Sequence, residues 1–408
     1  MSPDITLSLT ATLLEEIFDH AAPADGAMRR LFQKRGSGPA ERNRIGDLLF
    51  TVLRHRRRLE RALDPHLPTA NRLTALVTLA AEEQTRSDDS PSPPEPSDLS
   101  PQERCSLPEW LWEAFVAQRG ATEALAQGLA LNRPAPTDLR VNRSQGTREA
   151  LRIRLAALGV ITEPLPRTPD GLRLTGHPPV TTLDPFHQGL FEIQDEGSQW
   201  IAPLLCPRPG ETVVDLCAGG GGKTLHLASL MGRKGEIIAT DTDPGRLHQL
   251  SQRLRRLKNT PRVRVMPLRH EGDPALRPLT GKIDAVLVDA PCSGTGTLRR
   301  RPDLKWQLTP EQVAVLHQRQ CALLDAAARL LRPGGRLVYA TCSLLQQENQ
   351  AVVMSFLNEN PTFRQIPAMP TLAAQGFQGV YSEDTFLTLS PHLTGCDGFF
   401  AALFQRNR

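Results

Sequence analysis

A buried strand and a cysteine loop follow one another in the stretch Ile283-Asp-Ala-Val-Leu-Val-Asp-Ala-Pro-Cys-Ser-Gly-Thr-Gly296. Its first half is almost wholly apolar and rich in β-branched residues, which is typical of a central parallel strand buried on both faces. Pro291 then ends the strand, because proline has no N–H group to donate to the hydrogen bonds of a sheet. We therefore expect Cys292 in a loop at the carboxyl end of a strand, where open α/β sheets bind ligands.

A second strand of the same kind, Arg336-Leu-Val-Tyr-Ala-Thr-Cys-Ser343, places Cys342 at another strand end. Strands and helices alternate along the whole C-terminal half, with Arg332–Gly335 read as a turn after a helix end. This alternation predicts a doubly wound parallel sheet of the Rossmann-like α/β class. The other predicted elements are strands at Thr212–Leu216, Glu236–Thr240, Arg262–Met266 and Gly398–Phe404, and a helix at Asp243–Leu257.

Composition favours a cytosolic protein. The 408 residues carry a formal net charge of +4, and the seven cysteines show neither a C-x-x-C pair nor a zinc spacing. An odd number of cysteines without a framework fits free thiols in a reducing compartment, and no metal site is expected. No apolar run approaches the roughly 18 residues of a membrane span, so we expect no membrane partner and a cytoplasmic location.

Four segments are predicted. Residues 1–86 read as an all-α domain, 87–104 as a proline-rich linker, 105–185 as a small α+β module and 186–408 as the last domain. The second helix of the first domain is rich in arginine between Arg42 and Arg61. A solvated helix face and a phosphate-binding surface both explain this arginine run.

A glycine-rich turn follows the first strand of the last domain, in Val213-Val-Asp-Leu-Cys-Ala-Gly-Gly-Gly-Gly-Lys-Thr224. Such a turn lets a ligand approach the backbone and offers a helix N-terminus to an anionic group. The Walker pattern fails here because Cys217 stands where its first glycine belongs. Asp241 ends the next strand, where an acid would hold ribose hydroxyls. A tight turn without a ligand is the alternative.

Most of the cysteines are expected to be small buried hydrophobic residues. Cys217 is expected to line the glycine turn. Cys292 and Cys342 differ because both end strands at the ligand-binding edge, and each is followed by a serine. A thiolate in such a place can act as a nucleophile, while a second thiol can carry a proton.

The chain also contains Gln194-Asp195 with Ser198-Gln199, Lys223-Thr224, Arg300–Trp306 and Asp397–Phe400, in addition to Asp289–Gly296 and Ala340–Ser343. On these motifs the last domain resembles the RNA 5-methylcytosine methyltransferase family, which uses S-adenosylmethionine. The resemblance covers nearly all of Phe186 to Arg408, and the N-terminal region more loosely resembles the NusB-like domain of the RsmB type, the 16S ribosomal RNA cytosine-C5 methyltransferases. The resemblance of the N-terminal region rests on Ile45–Arg54.

The resemblance implies a role for each site residue. Cys342 would be the nucleophile that attacks C6 of cytosine, Cys292 would assist product release, and Asp289 would contact the target base near the cofactor. The implied cofactor-binding residues are Cys217, Ala218, Gly219, Gly220, Gly221, Gly222, Lys223, Asp241 and Asp289. The chemistry is reasonable in itself, because a thiolate added at C6 makes C5 nucleophilic enough to attack a sulfonium methyl group.

Two departures from the family pattern concern the cofactor site. The family often has proline where this chain has Gly220, and the acid that commonly stands near the adenine is missing after the third strand. Either Asp273 replaces that acid or the adenine is held differently, and the contact is left unassigned.

The expected partner is RNA, ribosomal RNA first. Arg246–His270 contains eight basic residues and no acid, which favours an RNA-facing surface, and Arg299, Arg300, Arg301 and Lys305 are expected to meet phosphates. The same chemistry on transfer RNA and a non-catalytic RNA-binding assembly factor are the alternatives. DNA is disfavoured, because DNA cytosine-C5 enzymes use the Pro-Cys cysteine as nucleophile.

Overall fold

The fold is described from a computed structural model that covers residues 3–85, 98–379 and 385–408. Of the linker predicted at 87–104, residues 87–97 lie outside the described residues. The helices are α1 Pro3–Asp19, α2 Ala24–Arg35, α3 Pro39–Arg61, α4 Thr69–Thr85, α5 Pro101–Cys105, α6 Glu109–Arg119, α7 Ala121–Leu131, α8 Arg148–Ala157, α9 Asp184–His187, α10 Glu196–Gln199, α11 Ile201–Leu204, α12 Gly222–Met231, α13 Pro244–Leu254, α14 Leu304–Gln307, α15 Pro310–Leu330, α16 Gln350–Glu359, α17 Ala368–Ala373 and α18 Pro391–Thr394. The strands are β1 Asp138–Val141, β2 Thr162–Pro164, β3 Gly171–Leu174, β4 Phe191–Ile193, β5 Thr212–Asp215, β6 Glu236–Asp241, β7 Arg262–Pro267, β8 Ile283–Asp289, β9 Leu331–Thr341, β10 Phe363–Ile366, β11 Leu387–Leu389 and β12 Phe399–Arg406.

The chain forms two compact units. The first unit is helical and comprises residues 1–134 together with 297–310, while the second comprises 135–296 and 311–408. In the first unit α3 buries one face, with Ile45, Leu48, Leu49, Val52 and Leu53 all at most 1% exposed. This spacing of three and four residues is the amphipathic pattern read from the sequence. None of the helices in the described ranges is both long and apolar enough to cross a bilayer.

The second unit is built on an eight-stranded sheet with the order β10-β12-β9-β8-β5-β6-β7, and β11 pairs with β12. The strands from β7 to β9 are parallel, as predicted. The strand predicted at 398–404 is β12, but it runs antiparallel to β9, so the sheet is mixed rather than wholly parallel. An apolar strand buried on both faces has the same pattern in either direction, and the sequence could not reveal its orientation.

Arg332–Gly335 does not form a separate turn before β9 but lies within that strand. The pairing jumps from Ile283 with Leu331 to Ala285 with Arg336, which leaves four residues of β9 opposite Asp284. Arg332 donates to that carboxylate at 2.6 Å. The residues Pro and Gly read as a turn in the sequence therefore form a large bulge at the start of β9.

A smaller antiparallel sheet with the order β2-β3-β1-β4 belongs to the same unit. We call residues 135–193, with this sheet and α8, the small module. Its core contains Leu139, Leu151, Leu155, Leu172 and Phe191. Phe191–Ile193, which sequence placed in the last domain, pairs with β1 and forms the edge of this small sheet.

Candidate active site

The predicted site residues converge at the carboxyl edge of the large sheet. Asp241 ends β6 and Asp289 ends β8, while the glycine turn follows β5 and Cys342 follows β9. In the order β7-β6-β5-β8-β9 the chain reverses its direction of growth between β5 and β8, and ligands of doubly wound sheets bind beside such a switch point. The sheet therefore brings together residues that are up to 125 positions apart, from Cys217 to Cys342.

The glycine turn requires glycine at two positions. Gly219 and Gly221 have φ of +52° and +91°, in the left-handed region that favours glycine. A Cβ at Gly221 would lie 2.3 Å from Leu250 Cδ1, whereas a Cβ at Gly222 would meet nothing within 4 Å. Helix α12 then starts at Gly222 without a side-chain cap, so its first turn presents backbone N–H groups to a ligand.

Asp241 lies directly against this turn. One of its carboxylate oxygens accepts from the Gly219 N–H at 2.8 Å and the other from the Asp243 N–H at 2.9 Å. Cys217 packs against the apolar core of the large sheet, and burial, followed by the charge of Asp215, raises the pKa of its thiol. Cys217 is thus suited to packing rather than reaction, and its predicted place in the cofactor site stays a prediction.

Lys223 connects the glycine turn with the cysteine loop. Its Nζ lies 2.6 Å from Asp289 Oδ2 and 5.3 Å from the centre of the Phe399 ring. Burial disfavours the ammonium form, but the negative charge of Asp289 and the hydrogen bond to it outweigh burial and raise the pKa of Lys223. A fixed positive charge therefore stands between the turn and the two cysteines.

Cys292 and Cys342 meet at the centre of the site, with 3.4 Å between their Sγ atoms. The hydrogen bond with Cys342, together with burial, raises the pKa of Cys292 well above its usual range. Cys292 is therefore held as a neutral thiol against Cys342 Sγ. A neutral thiol at this distance suits a protonated neighbour for a nucleophile.

Glu348 is a buried residue that the sequence analysis did not identify. Its carboxylate accepts hydrogen bonds from both cysteine loops. It accepts from the Ser293 N–H at 2.8 Å and from the hydroxyls of Ser293 and Ser343, both at 2.5 Å. Gln320 donates to Glu348 at 3.0 Å and to the Pro291 carbonyl at 2.9 Å. The serine after each cysteine was visible in the sequence, but the acceptor between them became apparent only in the fold.

We expect Glu348→Gln to lower kcat by about tenfold to a hundredfold, because an amide offers one acceptor oxygen where the carboxylate serves four donors. The affinity for a cofactor at the glycine turn should stay the same, since Glu348 makes no contact there. Steady-state methylation kinetics and calorimetric cofactor binding separate the two effects. A variant with unchanged kcat would show that the serine–carboxylate network does not position the cysteines.

Asp273, which could replace the acid missing after β7, is engaged by its own loop. Its oxygens accept from the Arg269 N–H and Nε, at 2.9 and 3.0 Å, and from the Ala275 N–H at 3.0 Å. The Arg269 side chain, and then the two backbone donors, hold the pKa of Asp273 well below its usual range. Asp273 is therefore engaged in capping the short 3-10 helix Pro274–Leu279.

Lys305 and Arg299 lie where phosphates cannot reach them, contrary to the expectation from sequence. They are 0% and 5% exposed within the helical unit. Lys305 donates to the Arg54 carbonyl at 3.1 Å and to Asn132 Oδ1, and burial lowers its pKa to about 7. Trp306 anchors the same segment by donating to the Leu53 carbonyl at 2.8 Å.

The positive charge of the basic stretch Arg246–His270 is partly compensated by ion pairs. Acids from other parts of the second unit pair with five of its eight cations. Glu192 pairs with Arg253 and Arg256, Glu236 with Arg262 and Arg264, and Asp273 with Arg269. Part of the charge of the run is therefore compensated within the second unit, while the side chains of Arg262 and Arg269 remain 79% and 75% exposed.

Comparison with known families identifies the class of the protein. Residues 202–405 match the model of the 16S rRNA methyltransferase RsmB/F family, and residues 107–181 match the ferredoxin-like domain of RsmF/B-like methyltransferases. The chain belongs to the RsmB/F family. The resemblance inferred from the cysteine and glycine motifs is thereby confirmed, as is the Rossmann-like fold.

Individual relatives agree with this assignment. The chain is 39% identical over 308 residues to the probable ribosomal RNA small subunit methyltransferase B of Synechocystis, covering 74% of this chain and 68% of that one. It is 36% identical to ribosomal RNA small subunit methyltransferase B of Cronobacter sakazakii, covering 72% and 65%. The crystal structure of PH0851 aligns with a TM-score of 0.76 and 27% identity, covering 98% of this chain and 97% of that one.

Proposed function

We propose that this protein transfers a methyl group from S-adenosylmethionine to C5 of a cytosine in 16S ribosomal RNA. The observation that carries the proposal is the pair of sulfur atoms 3.4 Å apart at the switch point of a methyltransferase sheet. RNA binding alone needs no such pair, and so the non-catalytic assembly factor is the weaker alternative. The small-subunit methyltransferase names of the relatives favour ribosomal over transfer RNA.

The glycine turn is suited to S-adenosylmethionine. The uncapped start of α12 fits the carboxylate of the methionine part, and Asp241 at the end of β6 fits the ribose hydroxyls. When bound, the cofactor supplies an electrophilic methyl group. Lys223 and Asp289 then fix the distance between the turn and the cysteine loop, because they form an ion pair across the two.

Cys342 attacks C6 of the cytosine and forms a carbon–sulfur bond, which turns C5 into a nucleophilic, enamine-like carbon. C5 then takes the methyl group, and the proton on C5 must leave before the carbon–sulfur bond can break. Cys292 is the base for that proton. Once the sulfur of Cys342 is bonded to C6, its contribution to the raised pKa of Cys292 is lost, although burial remains. Cys292 then passes its own proton to water, and the resulting thiolate takes the proton from C5.

The target cytosine must leave its stack to reach both sulfurs, so single-stranded or loop RNA is the expected substrate. Incubating the protein with unmodified 16S ribosomal RNA and labelled S-adenosylmethionine, followed by nucleoside mass spectrometry, tests the proposal. We expect 5-methylcytidine at one position of 16S RNA and none in transfer RNA. Label in another nucleoside, or in transfer RNA alone, would contradict the proposal.

A further inference from the structure

Two carbonyl groups of the glycine turn accept hydrogen bonds from arginines that lie outside the turn. Arg140 Nη1 donates to the Gly222 carbonyl at 3.1 Å, and Arg253 Nη1 donates to the Gly220 carbonyl at 2.7 Å. The two arginines approach from different elements, β1 of the small module and the last turn of α13. The second and the last residue of the four-glycine run are thus held by side chains.

The first connection is wholly buried. Arg140 is 1% exposed, and burial lowers the pKa of its guanidinium to about 10, so it stays charged at neutral pH. Gln194, which follows β4, accepts from the same Nη1 at 2.6 Å and so fixes its direction. A buried cation is costly unless it is hydrogen-bonded, and the two bonds from Nη1, to Gln194 and to the turn, offset part of that cost. Arg140 Nε has no hydrogen-bond partner among the described residues.

The second connection also begins in the small module. Glu192 on β4 is 3% exposed and accepts from Arg253 at 2.8 Å and from Arg256 at 2.7 Å. The two arginines differ in their other partner. Arg253 reaches the Gly220 carbonyl at 2.7 Å, whereas Arg256 donates to the Phe186 carbonyl at 3.0 Å and stacks on the Phe186 ring.

A run of four glycines needs such support, because glycine loses more conformational freedom on ordering than any other residue. A turn that is ordered only by its ligand would lower the affinity for that ligand by the free energy of ordering. We propose that the small module is part of the cofactor site: Arg140, and Glu192 acting through Arg253, are positioning residues that order the glycine turn before S-adenosylmethionine binds. This inference rests on the placement of the cofactor proposed above.

Arg253→Met and Arg256→Met form a matched pair, since both break an ion pair with Glu192 but only the first removes a donor to the turn. With the full-length protein and S-adenosylmethionine as titrant, calorimetry should show about tenfold weaker binding for Arg253→Met, the effect of one charge-assisted hydrogen bond. Arg256→Met should stay within about twofold of the parent, below the effect of one such bond. The KM for the cofactor should rise in Arg253→Met, while kcat and the KM for RNA stay the same.

Equal cofactor affinity in the two variants would overturn the inference, whether both bind as the parent does or both bind more weakly. Asp241→Asn separates this outcome from a wrong placement of the cofactor. Weaker binding in Asp241→Asn, together with equal affinities in the two arginine variants, would refute only the role of the small module and leave the cofactor site in place. Unchanged binding in all three variants would show that the cofactor does not bind at the turn. The Arg253 side chain is 29% exposed, so its replacement leaves the core intact.

Discussion

Cys342→Ala is expected to abolish methylation of 16S ribosomal RNA, with a loss on the order of 10⁴-fold or more, as when a nucleophile is removed from other enzymes. Without a sulfur to bond C6, C5 of cytosine remains too weak a nucleophile to take the methyl group. Initial rates of methyl incorporation at saturating RNA and cofactor measure the loss.

The cofactor affinity of Cys342→Ala should match that of the parent, since the glycine turn is unchanged. Cys321→Ala is the matched control: Cys321 is a free, partly buried thiol on α15 that contacts His317 rather than the site. It should retain the parent rate. Full activity in Cys342→Ala would exclude the proposed role of this cysteine.

Cys292→Ala should take each enzyme molecule through about one methyl transfer and then stop, because the step that needs a base comes after the transfer. Cys342 still forms its bond to C6 and C5 still accepts the methyl group, but the C5 proton stays in place. The carbon–sulfur bond therefore cannot break, and the enzyme remains attached to its product.

Quenched-flow incorporation of label distinguishes this stall from a general loss of activity. We expect a first turnover close in amplitude to the enzyme concentration, followed by a steady state slower than the parent by on the order of 10²- to 10⁴-fold, the usual contribution of acid–base catalysis. A slow rate without any first-turnover amplitude would argue that Cys292 acts before the methyl transfer.

The cysteine site could be predicted because its signals are local. Each of Cys292 and Cys342 follows an apolar strand, and the rule that parallel strands share one carboxyl edge brings them together without further information. The glycine turn and Asp241 follow the same rule. The strand bounds predicted for β5 and β6, for example, lie within one residue of those in the fold.

Partners brought together by tertiary contacts could not be predicted. Glu348 lies five positions after Ser343 but 55 after Ser293, and nothing in the sequence marks it as the acceptor for both. From the sequence, Lys305 is predicted to be a surface cation. In the fold, however, Thr297–Pro310 belongs to the helical unit. The antiparallel direction of β12 could not be predicted either, because burial on both faces leaves no directional pattern in the sequence of a strand.

The most direct test of the account is to find which cysteine carries RNA. Cys292→Ala protein is incubated with 16S ribosomal RNA and S-adenosylmethionine, denatured and digested, and the peptides are examined by mass spectrometry. The account predicts a methylated cytidine linked to the peptide that contains Cys342. An adduct on Cys292 in the Cys342→Ala protein, with none on Cys342 in the Cys292→Ala protein, would contradict it and reverse the two roles.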